Sequence, residues 1–115
     1  MQHYDWANVP SEEMNPKFFR RVIHTENMTI ARIHLKQGAV VPEHHHINEQ
    51  VALVLSGAIK FIIGGVEQEL RAGQTVVIPP NVPHMVEVIE DSDIIDTFAP
   101  RREDWIAGDD AYMRK

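Results

Sequence analysis

Short apolar runs, several alternating with polar residues, recur along this chain between small clusters of glycine, proline, asparagine and acidic residues. They occupy 21–24, 28–35, 51–55, 59–63, 66–70, 75–78, 84–88 and 93–98, and they are rich in valine and isoleucine. In an extended chain successive side chains take opposite faces. Ile59, Phe61 and Ile63 therefore share a face from which Lys60 is excluded. The breakers include Lys36-Gln37-Gly38, Ser56-Gly57, Gly64-Gly65, Ala72-Gly73-Gln74, Pro79-Pro80-Asn81 and Glu90-Asp91-Ser92. Gly64-Gly65 suits a tight hairpin, whose turn needs positive φ. Many short strands with closely spaced turns predict an all-β fold, a single small antiparallel β-barrel or jelly roll. Residues 1–17, with Tyr4, Trp6, Pro10 and Pro16, read as an N-terminal arm or edge strand, 18–100 as the barrel, and 101–115 as a short helix and tail of the same domain. Proline and acidic residues suit a first helical turn, so the helix is expected just after Pro100; the stretch after Gly108 reads as a loose tail.

A length of 115 residues supports one domain with its own core. There is no cysteine, which removes disulfides, thiolate ligands and a cysteine nucleophile. Any bound metal must take nitrogen and oxygen donors. Seventeen acidic against 11 basic residues leave a net charge of −6, which repels nucleic-acid phosphates and anionic membranes. No apolar run approaches membrane-spanning length and the first 30 residues hold no signal-like segment, so the expected setting is cytoplasmic, with neither nucleic acid nor membrane as partner. A barrel edge and the Tyr4/Trp6 arm favour a homodimer.

The seven histidines are unevenly placed. In an extended 43–46 segment, His44 and His46 share one face and His45 takes the other. Two imidazoles so spaced can bind one ion, and a barrel can bring His84 across to them. Read alone, the triplet is equally a solvated surface cluster, and His84 a hydrogen-bonded residue at a strand end. His3, His24, His34 and His45 read as structural or surface residues. On 93–98, Ile94, Asp96 and Phe98 share a face. If that face is interior, Asp96 is a carboxyl raised by burial and lowered by a nearby cation, a candidate for proton transfer; otherwise it is a solvated acid paired with Arg101 or Arg102. Arg102 at a barrel rim could grip a carboxylate with two hydrogen bonds, or simply pair with Glu103.

The frame around these residues resembles the two cupin motifs. Gly38, His44, His46, Gln50 and Gly57 follow the spacing of the first, with Gln50 where Glu is usual. Gly73, Pro79, Asn81 and His84 follow the second, with Asn81 for Gly and Val88 for Asn. The resemblance implies a metal held by His44, His46 and His84, with Gln50 as the fourth ligand and Glu49, on the opposite face, as its rival. A neutral amide in place of a carboxylate would leave a divalent ion its full charge, a stronger Lewis acid for an anionic substrate. Imidazole-rich sites accept Ni, Zn, Fe, Mn or Cu.

Gly38-Ala39-Val40-Val41-Pro42, His44-x-His46-x-x-Glu49-Gln50 and Asp96-x-Phe98-x-Pro100-x-Arg102-Glu103-Asp104-Trp105 are similar to a narrower group, the KdgF-type pectin-degradation cupins. That resemblance implies conversion of 4,5-unsaturated monouronates, released from pectin or alginate by lyases, into linear ketouronates. It also implies Asp96, Phe98 and Arg102 as the catalytic lining and a small anionic sugar as substrate. His45 and Asn48 are local variations outside the implied ligand set. Two other readings stay open: another metal-dependent cupin enzyme, a dioxygenase or sugar isomerase, and a non-catalytic sugar-binding module.

Overall fold

A computed structural model describes all 115 residues. Eight strands form one antiparallel sheet folded into a barrel, with a short C-terminal helix, the class expected from the sequence. They are β1 (Glu12–Asn15), β2 (Phe18–His24), β3 (Thr29–Leu35), β4 (Val40–His44), β5 (Glu49–Ile63), β6 (Val66–Arg71), β7 (Thr75–Ile78) and β8 (His84–Ala99); the helix α1 is Glu103–Ile106. The strand order is β1-β2-β3-β8-β5-β6, with β4 also on β8 and β7 also on β5. No helix is long and apolar enough to cross a membrane.

The two longest strands make the spine. β8 pairs with β4 through its first half and β3 through its second, while β5 runs beside it almost throughout. Each absorbs two runs that the sequence divides. At Ser56-Gly57 and Glu90-Asp91-Ser92 the chain kinks through irregular pairing instead of ending. The reason is steric. Gly57 has φ +91°, and a Cβ there would lie 2.3 Å from both the Asp91 carbonyl oxygen and Ser92 Oγ. Only glycine lets the two strands cross this closely at a bulge. Gly57→Ala is therefore expected to destabilise by about 3 kcal/mol or more and to lower Tm by at least ~10 °C in a thermal melt. Gly65→Ala, also at positive φ but facing open space, should lose only about 1 kcal/mol.

Alternation sends one residue of each pair inward. Ala31, Ile33 and Leu35 of β3, Ala52, Val54, Ile59 and Phe61 of β5, and Val86, Val88, Ile94 and Phe98 of β8 fill the interior. The stretch after Gly108 is not the loose tail its composition suggested. A 3-10 turn at Ala111–Arg114 lays Met113 into the core, and buried Asp110 pairs with buried Arg20. The open end of the barrel, which strands alone leave uncovered, supplies the apolar surface and the cation that hold this turn.

Candidate metal centre and active site

β4 ends at His44 and β8 begins at His84, and the two residues face each other in register. His46 reaches the same point from the loop before β5. The ring centroids of His44 and His84 lie 4.3 Å apart, those of His46 and His84 4.9 Å, and one ring nitrogen from each of the three lies within 4.8 Å of the others. Each ring is oriented by a backbone carbonyl: Nδ1 of His44 donates to Pro42 O (2.7 Å), that of His46 to Asn48 O (3.0 Å), and that of His84 to Val82 O (2.8 Å). A carbonyl only accepts, so Nδ1 carries the proton and Nε2 keeps its lone pair. Nε2 of His84 is buried with no hydrogen-bond partner. Three inward lone pairs, one of them orphaned, suit a divalent metal ion.

Burial pushes His44 and His46 down to about 4, and it lowers His84 as well. The rings are thus neutral at pH 7, as metal ligation requires. Gln50 is buried, with Oε1 3.1 Å from His46 Nε2, whereas Glu49 is exposed. Strand alternation at the start of β5 turns one inward and the other out.

Asp96 lies between Ala31 and Ala52 on the neighbouring strands, both fully buried. It is 5% exposed and its Oδ1 has no hydrogen-bond partner. Burial raises its pKa to about 7, while Gln50 and Arg102 pull it partly back. Asp96, His44, His84, Gln50, Phe98 and Arg102 line one cavity inside the barrel.

Arg102 is not at an open rim, and its partner is not Glu103, which pairs with Arg101. It is 1% exposed, and its backbone N–H donates to Thr29 Oγ1. Asp104 accepts from Nε (3.0 Å) and Nη2 (2.8 Å), and the Tyr112 hydroxyl lies 2.7 Å from Nη2. The guanidinium stacks on Phe98 and on Trp105. Desolvation at this depth demands such compensation, which explains why the arginine is roofed by a helix and a turn.

Sequence reasoning missed three contributors. Asn48 is buried and donates Nδ2 to the carbonyls of Pro100 and Arg101, so it ties the His46 loop to the turn that carries Arg102. Asp104 grips Arg102 two residues away. The Tyr112 ring lies 4.8 Å from that of His44. Asn48, inside the histidine motif, and Asp104, inside the Arg102-to-Trp105 stretch, stood where a signal could be sought, though neither was given a role; Tyr112 lies in a single 3-10 turn, which has no periodicity to read. His34 bonds Asp93 at the outer surface, away from the site, and His45, between the two clustered histidines, is exposed.

The cupin domain model matches residues 31–95. The pectin degradation protein KdgF of Dickeya dadantii is 31% identical over 101 residues, 85% of this chain and 92% of that one. The structure of KdgF from a Halomonas species superposes with a TM-score of 0.85 at 27% identity, covering 91% of this chain and 98% of that one. An RmlC-like cupin from Shewanella frigidimarina matches equally well, at 0.85 and 27%, covering 91% and 96%. With more than half its length matched and the barrel and histidine cluster in place, the chain belongs to the cupin family.

Proposed function

We propose that this cupin opens 4,5-unsaturated monouronates to linear ketouronates, with His44, His46, His84 and Gln50 as ligands of a divalent metal and Asp96 as the proton-transfer group. The observation that carries the reading is Asp96, a buried carboxyl with a free oxygen and a pKa near neutrality, in the same cavity as His44 and His84, two of the three clustered neutral imidazoles. Its similarity to the two KdgF proteins supports the substrate class. Nε2 of His46 and Oε1 of Gln50 both present lone pairs, 3.1 Å apart, and a shared cation reconciles them.

The reaction is an isomerisation. The anomeric hydroxyl loses a proton as the bond from C1 to the ring oxygen breaks, and C4 gains a proton as the C5 ketone forms. A carboxyl poised near pH 7 can deliver one proton and recover the other. The metal, when bound, would supply Lewis-acid stabilisation of negative charge on the substrate's carboxylate and neighbouring oxygen. Phe98 packs against the sugar ring, and Arg102 pairs with the carboxylate. The hydrophobic wall excludes water from the developing enol.

The test is to incubate metal-loaded protein with unsaturated galacturonate and follow the loss of its ultraviolet absorbance. The expected result is rapid decay to a ketouronate, abolished by a chelator and restored by added metal. Decay at the buffer rate would end this reading. Oxygen uptake by iron-loaded protein would favour a dioxygenase instead.

A further inference from the structure

The cavity lined by Asp96, His44 and His84 measures about 40 Å³, room for about three waters. A monouronate has about a dozen non-hydrogen atoms and cannot enter unless the wall moves. Most of that wall is sheet, tied by paired backbone hydrogen bonds. The exceptions are Arg102 and Trp105, fixed by the Arg102 N–H bond to Thr29 Oγ1 and by α1, and the turn at Ala111–Arg114, which puts Tyr112 and Met113 into the lining. No backbone-to-backbone hydrogen bond joins residues 110–115 to a strand; the turn closes on itself, with Met113 N donating to Asp110 O. Contacts through side chains hold it: Asp110 on Arg20, Arg114 on Glu12, Asn15 of β1 on the Lys115 carbonyl, Met113 in the core, and Tyr112 on both His44 and Arg102. Segments so held open at lower free energy than strands do.

The chemistry of Arg102 says what opens it. A guanidinium has one N–H on Nε and two on each Nη. Asp104 takes Nε–H and one Nη2–H, and Tyr112 takes the second Nη2–H. What remains is the outer fork, Nη1 with Nη2, and the Tyr112 oxygen fills half of it. A carboxylate is the natural bidentate occupant of that fork and a stronger acceptor than a phenol.

We propose that Tyr112 is a gating and specificity residue of this site: it closes the barrel mouth over His44 and holds the outer fork of Arg102 until a substrate carboxylate displaces it. A neutral sugar cannot displace the phenol at equal gain, so the contact selects for acids. Only the identity of the displacing acid rests on the ring-opening reading.

The experiment uses zinc-loaded protein and two variants. Tyr112→Phe keeps the ring and removes the hydroxyl; binding of D-galacturonate, measured by titration calorimetry, should tighten threefold or more because the competing acceptor is gone. D-galactose should show no such gain. Tyr112→Ala removes the roof, and a chromogenic chelator should extract zinc at least fivefold faster. Unchanged, weaker or undetectable galacturonate binding in Tyr112→Phe, an equal gain for galactose, or an unchanged extraction rate in Tyr112→Ala would each overturn the proposal. If these effects hold but unsaturated uronate is not turned over, the ring-opening reading fails and the role of Tyr112 stands. Turnover without them reverses that outcome.

Discussion

Asp96→Asn should lower kcat for the unsaturated uronate by 10²- to 10⁴-fold, the range a positioned acid–base group contributes, with KM nearly unchanged. Asparagine keeps the shape and a hydrogen-bonding oxygen but cannot give up or take a proton. The metal-free protein should respond in the opposite sense. The folded carboxyl holds its proton up to about 7, whereas its ordinary value is 3.8. Between those values the folded chain binds more protons than the unfolded one, so wild-type stability falls as pH rises, and it stays lowered above 7. Asparagine escapes that penalty. Urea unfolding of metal-free protein at pH 8 should show the variant more stable by about 4 kcal/mol, with the gap closing near pH 4. A variant less stable at pH 8 would mean that Asp96 is a paired structural acid, and the catalytic assignment would fall with it.

Such a carboxyl is legible in sequence only after its face is known. Ile94, Asp96 and Phe98 alternate, but alternation does not say which face is inward; pairing with Ala31 and Ala52 does. The site's sheet-borne half was readable because strand geometry is periodic: Gln50 and Glu49 must take opposite faces, and the resemblance to the histidine motif put Gln50 with the imidazoles. The spacing of Gly38, His44, His46 and Gly73 to His84 marked the fold. What escaped was non-periodic. Ser56-Gly57 looks like a turn in any sequence, and it is a bulge only because Ser92 crosses against it. Arg102 looked like a rim residue because nothing local announces that Tyr112, ten positions on, returns to cover it. Arg20, on β2, gave no sign that it waits for Asp110 across 90 residues.

The metal centre yields the other large effect. His84→Ala should reduce metal affinity roughly 10³-fold or more, beyond the 10- to 100-fold that loss of an outer supporting contact produces. Elemental analysis after dialysis reads this directly, and His45→Ala, at an exposed position beside the pair, should retain wild-type metal content. The magnitude follows from how the rings are held. Their three anchoring carbonyls, on Pro42, Asn48 and Val82, belong to separate stretches of chain that converge at one end of the barrel. A ring so fixed loses little freedom on binding, so removing it sacrifices nearly the whole of its bond. Protons compete for the same lone pairs. With His44 and His46 pushed down to about 4, metal should stay bound as pH falls past 6.5 and leave only as it approaches 4 to 5. The same groups make the metal-free fold acid-sensitive. The unfolded chain takes up protons below about 6.5 that the folded rings refuse until about 4, so stability declines across that window. Bound metal opposes the decline by mass action, since it binds only the folded arrangement, and a chelator should therefore lower Tm in wild type but not in His84→Ala. Equal metal content in the two proteins after dialysis would remove His84 from the ligand set.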